Sequence, residues 1–201
     1  MSTRGNDTRT RATTVRGHGI RALTAGAALC GTLLAVTGPV HAATNVAVAG
    51  AVLEINAGNM GDAITVSVDV DGSLLVTNTG DTVVAGAQCV AVTANQVDCA
   101  SAGVARIRAA MNSGDDVLRN QTSLRARADM GAGTDWFEGG SAVDTVDGND
   151  GNDTLLGGDG NDRLFGNSED DFLVGEGGDD DADGGSDIDL CDAESEINCE
   201  L

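Results

Sequence analysis

The chain has 201 residues, with 32 Asp or Glu against 11 Arg, no Lys, and a net charge of −21. A surface this acidic repels phosphates and excludes a nucleic-acid partner. Three Phe, one Trp and no Tyr exclude a large aromatic core, and the acid-rich, Gly-rich composition is that of a disordered chain unless something periodic orders it.

Residues 1–42 read as an export signal. Arg4, Arg9, Arg11, Arg16 and Arg21 form a basic leading region, residues 22–37 (ALTAGAALCGTLLAVT) are small and apolar, and Val40-His41-Ala42 offers small residues for cleavage after Ala42. The apolar run is shorter than the roughly 20 residues of a spanning helix. A lipid anchor at Cys30 is disfavoured by bulky Leu29. Secretion is the expected localisation, with cell-surface association as a variant of it. Cleavage leaves 31 acids against six Arg, a net charge of −25, and removes His18, His41 and Cys30. A chain without His builds neither a Ser-His-Asp triad nor a His-ligated zinc site, so no enzyme is expected. The four remaining cysteines suggest disulfides in an exported protein. Three connectivities are open. Cys89 with Cys99 and Cys191 with Cys199 is the short-range choice, one small loop at each end.

Residues 43–110 form a β-rich region. Thr44–Ala49, Ala63–Val70, Leu74–Thr79, Cys89–Ala94 and Val104–Ala109 are β-branched, alternating runs separated by Gly, Asn and Asp, the pattern of short strands and tight turns. The sequence leaves open whether this region continues the array that follows or makes a separate sheet.

From Met130 the chain repeats every nine residues: MGAGTDWFE, GGSAVDTVD, GNDGNDTLL, GGDGNDRLF, GNSEDDFLV, GEGGDDDAD and GGSDIDLCD tile residues 130–192 without a gap. Position six is always Asp: Asp135, Asp144, Asp153, Asp162, Asp171, Asp180 and Asp189. Position eight is apolar or small: Phe137, Val146, Leu155, Leu164, Leu173, Ala182 and Cys191. Such a period is the signature of a solenoid. Gly at positions one, two and four permits positive φ and close backbone approach. Positions one to six are therefore expected to form a turn, and positions seven to nine a short strand with position eight pointing inward.

GNDGNDTLL and GGDGNDRLF resemble the repeats-in-toxin (RTX), or hemolysin-type, calcium-binding nonapeptide, whose unit is G-G-x-G-x-D-x-U-x with U apolar. Asn112–Leu118 looks like a further degenerate rung, out of register by one residue. The resemblance implies an all-β, right-handed parallel β-roll over residues 111–192, with an N-terminal β-rich region before it and a disulfide-capped C-terminus at 193–201. The layout looks like secreted calcium-binding proteins of Gram-positive, high-GC bacteria. Ca²⁺ is the implied cofactor, since it takes six to eight oxygens from carboxylates and carbonyls. Two units per coil would stack unit n on unit n+2. One column then holds Asp135, Asp153, Asp171 and Asp189, the other Asp144, Asp162 and Asp180, with five gaps for ions. Asp135/Asp153 and Asp144/Asp162 are the first choices, then Asp162/Asp180 and Asp153/Asp171. Turns 148–153 and 157–162 are the best formed, which adds Gly148, Asp150, Gly151, Gly157, Asp159 and Gly160 to the ligand set. Ala142, Glu169 and Asp187 in place of Gly at position four, and Met130 at position one, mark poorer sites. The expected function is a secreted protein that folds on binding Ca²⁺. The alternative is a calcium-dependent surface or matrix adhesion module with a cell-envelope partner. A hydrolase fragment has no room beyond 43–110, and a cytolysin would need apolar segments that 43–201 lack.

Overall fold

The computed structural model describes residues 43–200; the expected signal segment lies outside them. Every element among these residues is a β-strand. The first eight are β1 (Thr44–Ala49), β2 (Val52–Asn56), β3 (Ala63–Val68), β4 (Leu74–Asn78), β5 (Val83–Ala85), β6 (Cys89–Thr93), β7 (Gln96–Cys99) and β8 (Arg106–Ala110). The rest are β9 (Val117–Asn120), β10 (Arg125–Ala132), β11 (Trp136–Glu138), β12 (Thr145–Asp150), β13 (Thr154–Asp159), β14 (Arg163–Ser168), β15 (Phe172–Gly177), β16 (Asp181–Gly185), β17 (Leu190–Asp192) and β18 (Ser195–Ile197).

They form two sheets of nine. The first has the order β18-β16-β14-β12-β10-β8-β2-β1-β5, the second β17-β15-β13-β11-β9-β3-β4-β7-β6. The alternation follows from the period. One nine-residue unit crosses one sheet, the next crosses the other, and the third pairs with the first. Thus Phe137 lies opposite Leu155 and Leu155 opposite Leu173, while Val146 lies opposite Leu164 and Leu164 opposite Ala182. All these pairings are parallel, and the coil is a β-solenoid of the β-roll kind with two units per turn.

The core is one side chain deep. Strand side chains alternate between faces, and the position-eight residues Phe137, Val146, Leu155, Leu164, Leu173 and Ala182 all point in and are buried. Cys191 is only partly buried at the open end. The strands are longer than the repeat suggested. β13 spans positions seven to nine of one unit and one to three of the next, leaving only positions four to six for the turn. The reason lies at position one, which also points inward. A Cβ on Gly157 would stand 2.5 Å from Asp162 Oδ2 and 2.7 Å from the Gly175 carbonyl oxygen. Glycine there lets the strand run on beneath a carboxylate.

Residues 43–110 continue the same two sheets. β2 pairs in parallel with β8, and β8 with β10; β3 pairs in parallel with β9, and β9 with β11. Beyond β2 and β3 the ladder is antiparallel at β1–β2, β3–β4, β4–β7 and β6–β7 and parallel at β1–β5; β1–β2, β3–β4 and β6–β7 are hairpins, whose short turns can join only antiparallel neighbours. Gly50 and Gly72 take positive φ in two of those turns. Val46, Leu53, Ile55, Ile64, Val66, Val76 and Val97 give this end a denser core. All five expected strands lie within two residues of their observed ends at both termini. The last begins at Arg106 rather than Val104. β2, β5 and β7 were not anticipated. Disulfides join Cys89 to Cys99, across β6 and β7, and Cys191 to Cys199. Among the described residues no helix is long and apolar enough to cross a membrane.

Candidate metal centre

Each position-six Asp closes a turn at the edge of the roll, and all seven are at most 3% exposed. One carboxylate oxygen of each has a fixed task. Asp153 Oδ1 accepts the Asp135 N–H at 2.9 Å, Asp171 Oδ1 the Asp153 N–H at 2.8 Å, and Asp189 Oδ1 the Asp171 N–H at 2.9 Å. In the other column Asp162 Oδ1 accepts the Asp144 N–H at 2.7 Å and Asp180 Oδ1 the Asp162 N–H at 2.8 Å. Every step is 18 residues, so the structure brings together the four Asp pairs chosen from the sequence.

The second oxygen is the informative one. Oδ2 of Asp135, Asp153, Asp162, Asp171, Asp180 and Asp189 is buried without a hydrogen-bond partner. Asp144 Oδ2 alone of the seven has one, the Gly140 N–H at 3.3 Å. A buried carboxylate oxygen without a partner is costly, and natural structures resolve that with an opposite charge or a metal. The shared burial has an electrostatic consequence. Desolvation pushes Asp144, Asp153 and Asp171 up to about 7, and Asp135 and Asp162 up to about 6. For Asp153, repulsion from Asp135 and Asp171 adds to desolvation, while the Asp135 N–H opposes it. Asp189 is raised for the same leading reason. Asp144, Asp153 and Asp171 therefore resist full ionisation near neutrality, and a cation beside them would offset that cost.

The glycines fit this arrangement. Gly148 and Gly157 lie directly under the Asp153 and Asp162 carboxylates, where a Cβ would collide with Oδ2. Gly151 and Gly160 take φ of 127° and 147° at the turn. A Cβ on Gly151 would fall on the Gly133 carbonyl oxygen of the stacked turn. At Gly157 the Asp162 Oδ2 and the Gly175 carbonyl oxygen lie 2.5 and 2.7 Å from the same Cβ position, so carboxylate and carbonyl oxygens lie together between rungs. Asp150 and Asp159 are exposed, outside the buried columns. At the irregular turns Glu169 and Asp187 take φ of 75° and 80°, a conformation that is uncommon for non-Gly residues.

Four residues extend the columns beyond the regular units: Asp116 from the degenerate rung, and Asp62, Glu194 and Glu200, which the repeat does not signal. Asp62 donates its N–H to Asp116 Oδ1 at 2.6 Å, and Asp116 donates its own to Asp135 Oδ1 at 2.7 Å. Asp116 thus takes the place expected of the degenerate rung. Its Oδ2 is also buried and unpaired, and burial pushes it up to about 7. Asp62 is different. Its oxygens accept from the Gly58 N–H at 2.8 Å, the Thr44 hydroxyl and the Asn78 amide, so it ends the column without a vacancy. At the other end Glu194 Oε2 accepts the Asp180 N–H at 3.0 Å and Glu200 Oε2 the Asp189 N–H at 2.7 Å. These glutamates stand in for a next aspartate after the period has lapsed.

Among the described residues no group of three or more His, Cys, Asp or Glu side chains converges on one point. The donors in each gap are two carboxylates and the backbone oxygens of Gly-rich turns. An all-oxygen set of that kind suits a hard cation such as Ca²⁺ and offers nothing to a thiophilic metal.

Residues 131–164 and 156–191 match the family model of the RTX calcium-binding nonapeptide repeat, in four copies. No curated protein and no solved structure matches the chain.

Proposed function

We propose that this chain, a calcium-binding repeat protein of β-solenoid fold with RTX repeats over residues 131–191, is exported and completes its folding on Ca²⁺ outside the cell. The observation that carries the reading is the row of buried, partnerless Oδ2 atoms stacked 18 residues apart. Bound Ca²⁺ supplies the positive charge those oxygens lack. Asp135, Asp153, Asp171 and Asp189 would hold it in one column, and Asp144, Asp162 and Asp180 in the other. Asp116 adds a sixth gap to the five counted from the regular units. Gly148, Gly151, Gly157 and Gly160 shape the turns that bring carbonyls to the gaps, and Asp150 and Asp159 stand outside them as rim charges.

The thin core explains why folding and binding would be coupled. One buried Leu per nine residues returns far less than ordering those residues costs. A cation that binds only the folded form adds stability by mass action. The basic and then apolar leader read at residues 1–42 supports export, and Ca²⁺ outside a cell is abundant enough to drive the folding. In this reading the roll is not a catalyst. The test is thermal unfolding of the oxidised chain in millimolar Ca²⁺ and in excess chelator. Support is a large rise in Tm with Ca²⁺, absent with Mg²⁺ at equal concentration; coincident melts in all three would reject the proposal.

A further inference from the structure

We propose that the outer face of the first sheet is a docking surface for a carboxylate-bearing polysaccharide, built by Arg106, Arg108, Arg125 and Arg127. β8 and β10 are parallel neighbours, with Arg106 opposite Arg125 and Arg108 opposite Arg127. Between them Ile107, Ala109, Ala126 and Ala128 turn inward, so all four arginines face solvent. Strands lie about 4.8 Å apart, and alternate residues along one strand about 6.7 Å apart. The four side chains therefore rise from a rectangle of about 5 by 7 Å.

This grouping has no folding rationale. Four of the six Arg of residues 43–201 stand in one square, although like charges directly opposite each other destabilise a sheet. Alternation asks only for polar residues here: in the row of Arg127, Thr145, Arg163 and Asp181 follow on the next three strands, and Glu54 lies opposite Arg108 on the other side. The two ion pairs among the described residues, Arg119–Glu138 and Arg163–Asp181, both lie outside the square. None of its four guanidinium groups closes an ion pair, although Glu54 lies opposite Arg108 on β2 and Arg127 draws the Asp147 carboxyl down against the upward push of burial; the square remains a net positive patch on a strongly acidic protein.

Charge complementarity and shape select the ligand. A guanidinium fork binds carboxylate oxygens in a bidentate fashion. The face is an open sheet, so it suits an extended polymer laid across strands. β8 and β10 carry no aromatic side chain on which the bases of a single-stranded nucleic acid could stack. An anionic membrane would have to meet the whole face, including the outward Asp129, Asp147 and Asp181. A thin acidic polysaccharide crossing the strands at the square meets fewer carboxylates, Glu54 on β2 foremost. The overall −21 charge opposes its approach, and cations held in the columns lower that barrier, so docking is expected to strengthen with Ca²⁺ and weaken with salt.

The surface is independent of the metal columns, and the experiment separates the two. The whole chain, refolded in Ca²⁺, is passed over immobilised carboxymethyl dextran, with unmodified dextran as the control. The expected result is salt-sensitive binding to the first alone. The variant R106Q/R108Q/R125Q/R127Q should lose affinity by about tenfold or more, with its Ca²⁺-induced circular dichroism unchanged. R108Q/R127Q, which removes one cross-strand pair and perturbs the fold least, should lose about threefold; R119Q and R163Q should bind as the parent does. No binding at low salt, or equal binding by the quadruple variant, overturns the proposal. So does tighter binding to single-stranded DNA or phosphatidylserine vesicles than to the polysaccharide.

Discussion

Replacing Asp153 by Asn tests the role of a single carboxylate. Asp153 Oδ1 accepts the Asp135 N–H at 2.9 Å, and an asparagine oxygen can keep that bond. Oδ2, buried and partnerless, becomes an amide nitrogen that cannot ligate a cation. Without metal the variant should be as stable as the parent or more so. It removes a desolvated charge raised to about 7 by burial and by Asp135 and Asp171. With Ca²⁺ the order reverses. Asp153 belongs to two gaps, one with Asp135 and one with Asp171. A tenfold loss of affinity at each costs about 1.4 kcal/mol per gap, about 3 kcal/mol for the pair. The assay is urea unfolding of parent and variant in saturating Ca²⁺ and in chelator, with D192N as an exposed control. Expected is a deficit confined to the Ca²⁺ arm. An equal deficit in both arms would mean that Asp153 acts through its hydrogen bond alone, and the reasoning would fail.

Other perturbations separate core, turn, charge and staple. Leu155→Ala, at a fully buried position, should cost about 2–5 kcal/mol in the Ca²⁺-loaded state, read by urea midpoint. Gly157→Ala places a Cβ 2.5 Å from Asp162 Oδ2, so calorimetry should show weakened Ca²⁺ binding in the Asp144/Asp162/Asp180 column and near-normal binding in the other. Because burial raises Asp144, Asp153 and Asp171 in the folded chain to about 7 from the ordinary 3.8, protons favour the folded form. The metal-free array should then be more β-rich near pH 5 than near pH 7.5, its stability lost as pH rises through about 6–7; circular dichroism in chelator showing the opposite order would contradict this. C191S/C199S, which removes the bridge at the open end, should raise amide exchange in β17 and β18 while leaving the Asp135/Asp153 gap intact.

The period made the repeat region legible because function and packing repeat together there. Asp at position six and an apolar residue at position eight give the 18-residue stacking once one unit is assigned to each sheet. The strand extent was harder to read. Gly157 and Gly158 look like turn residues, yet Gly157 is inside a strand because only glycine fits beneath the Asp162 carboxylate. Asp116 sits 19 rather than 18 residues before Asp135, so its rung is visible only as a misfit. Glu194 and Glu200 carry no repeat signal at all; they cap the columns because a longer side chain reaches from an irregular backbone. In the N-terminal region β5 and β7 are three and four residues long, too short for alternation to stand out, and β2 borders the residues that read as a separator. That β2 and β3 seed the same two sheets depends on pairings across more than 50 residues, which no local pattern encodes.

The central claim is that the partnerless oxygens of the two aspartate columns are places for Ca²⁺. Its most direct test is a Ca²⁺ titration of the oxidised chain by calorimetry, with far-ultraviolet circular dichroism on the same samples. The account expects several ions per chain, up to the six gaps between consecutive unpaired or paired rungs from Asp116 to Asp189 and from Asp144 to Asp180, with a gain in β signal that chelator reverses. A chain that takes up no Ca²⁺, or takes it up with full β signal already present in chelator at neutral pH, would contradict it.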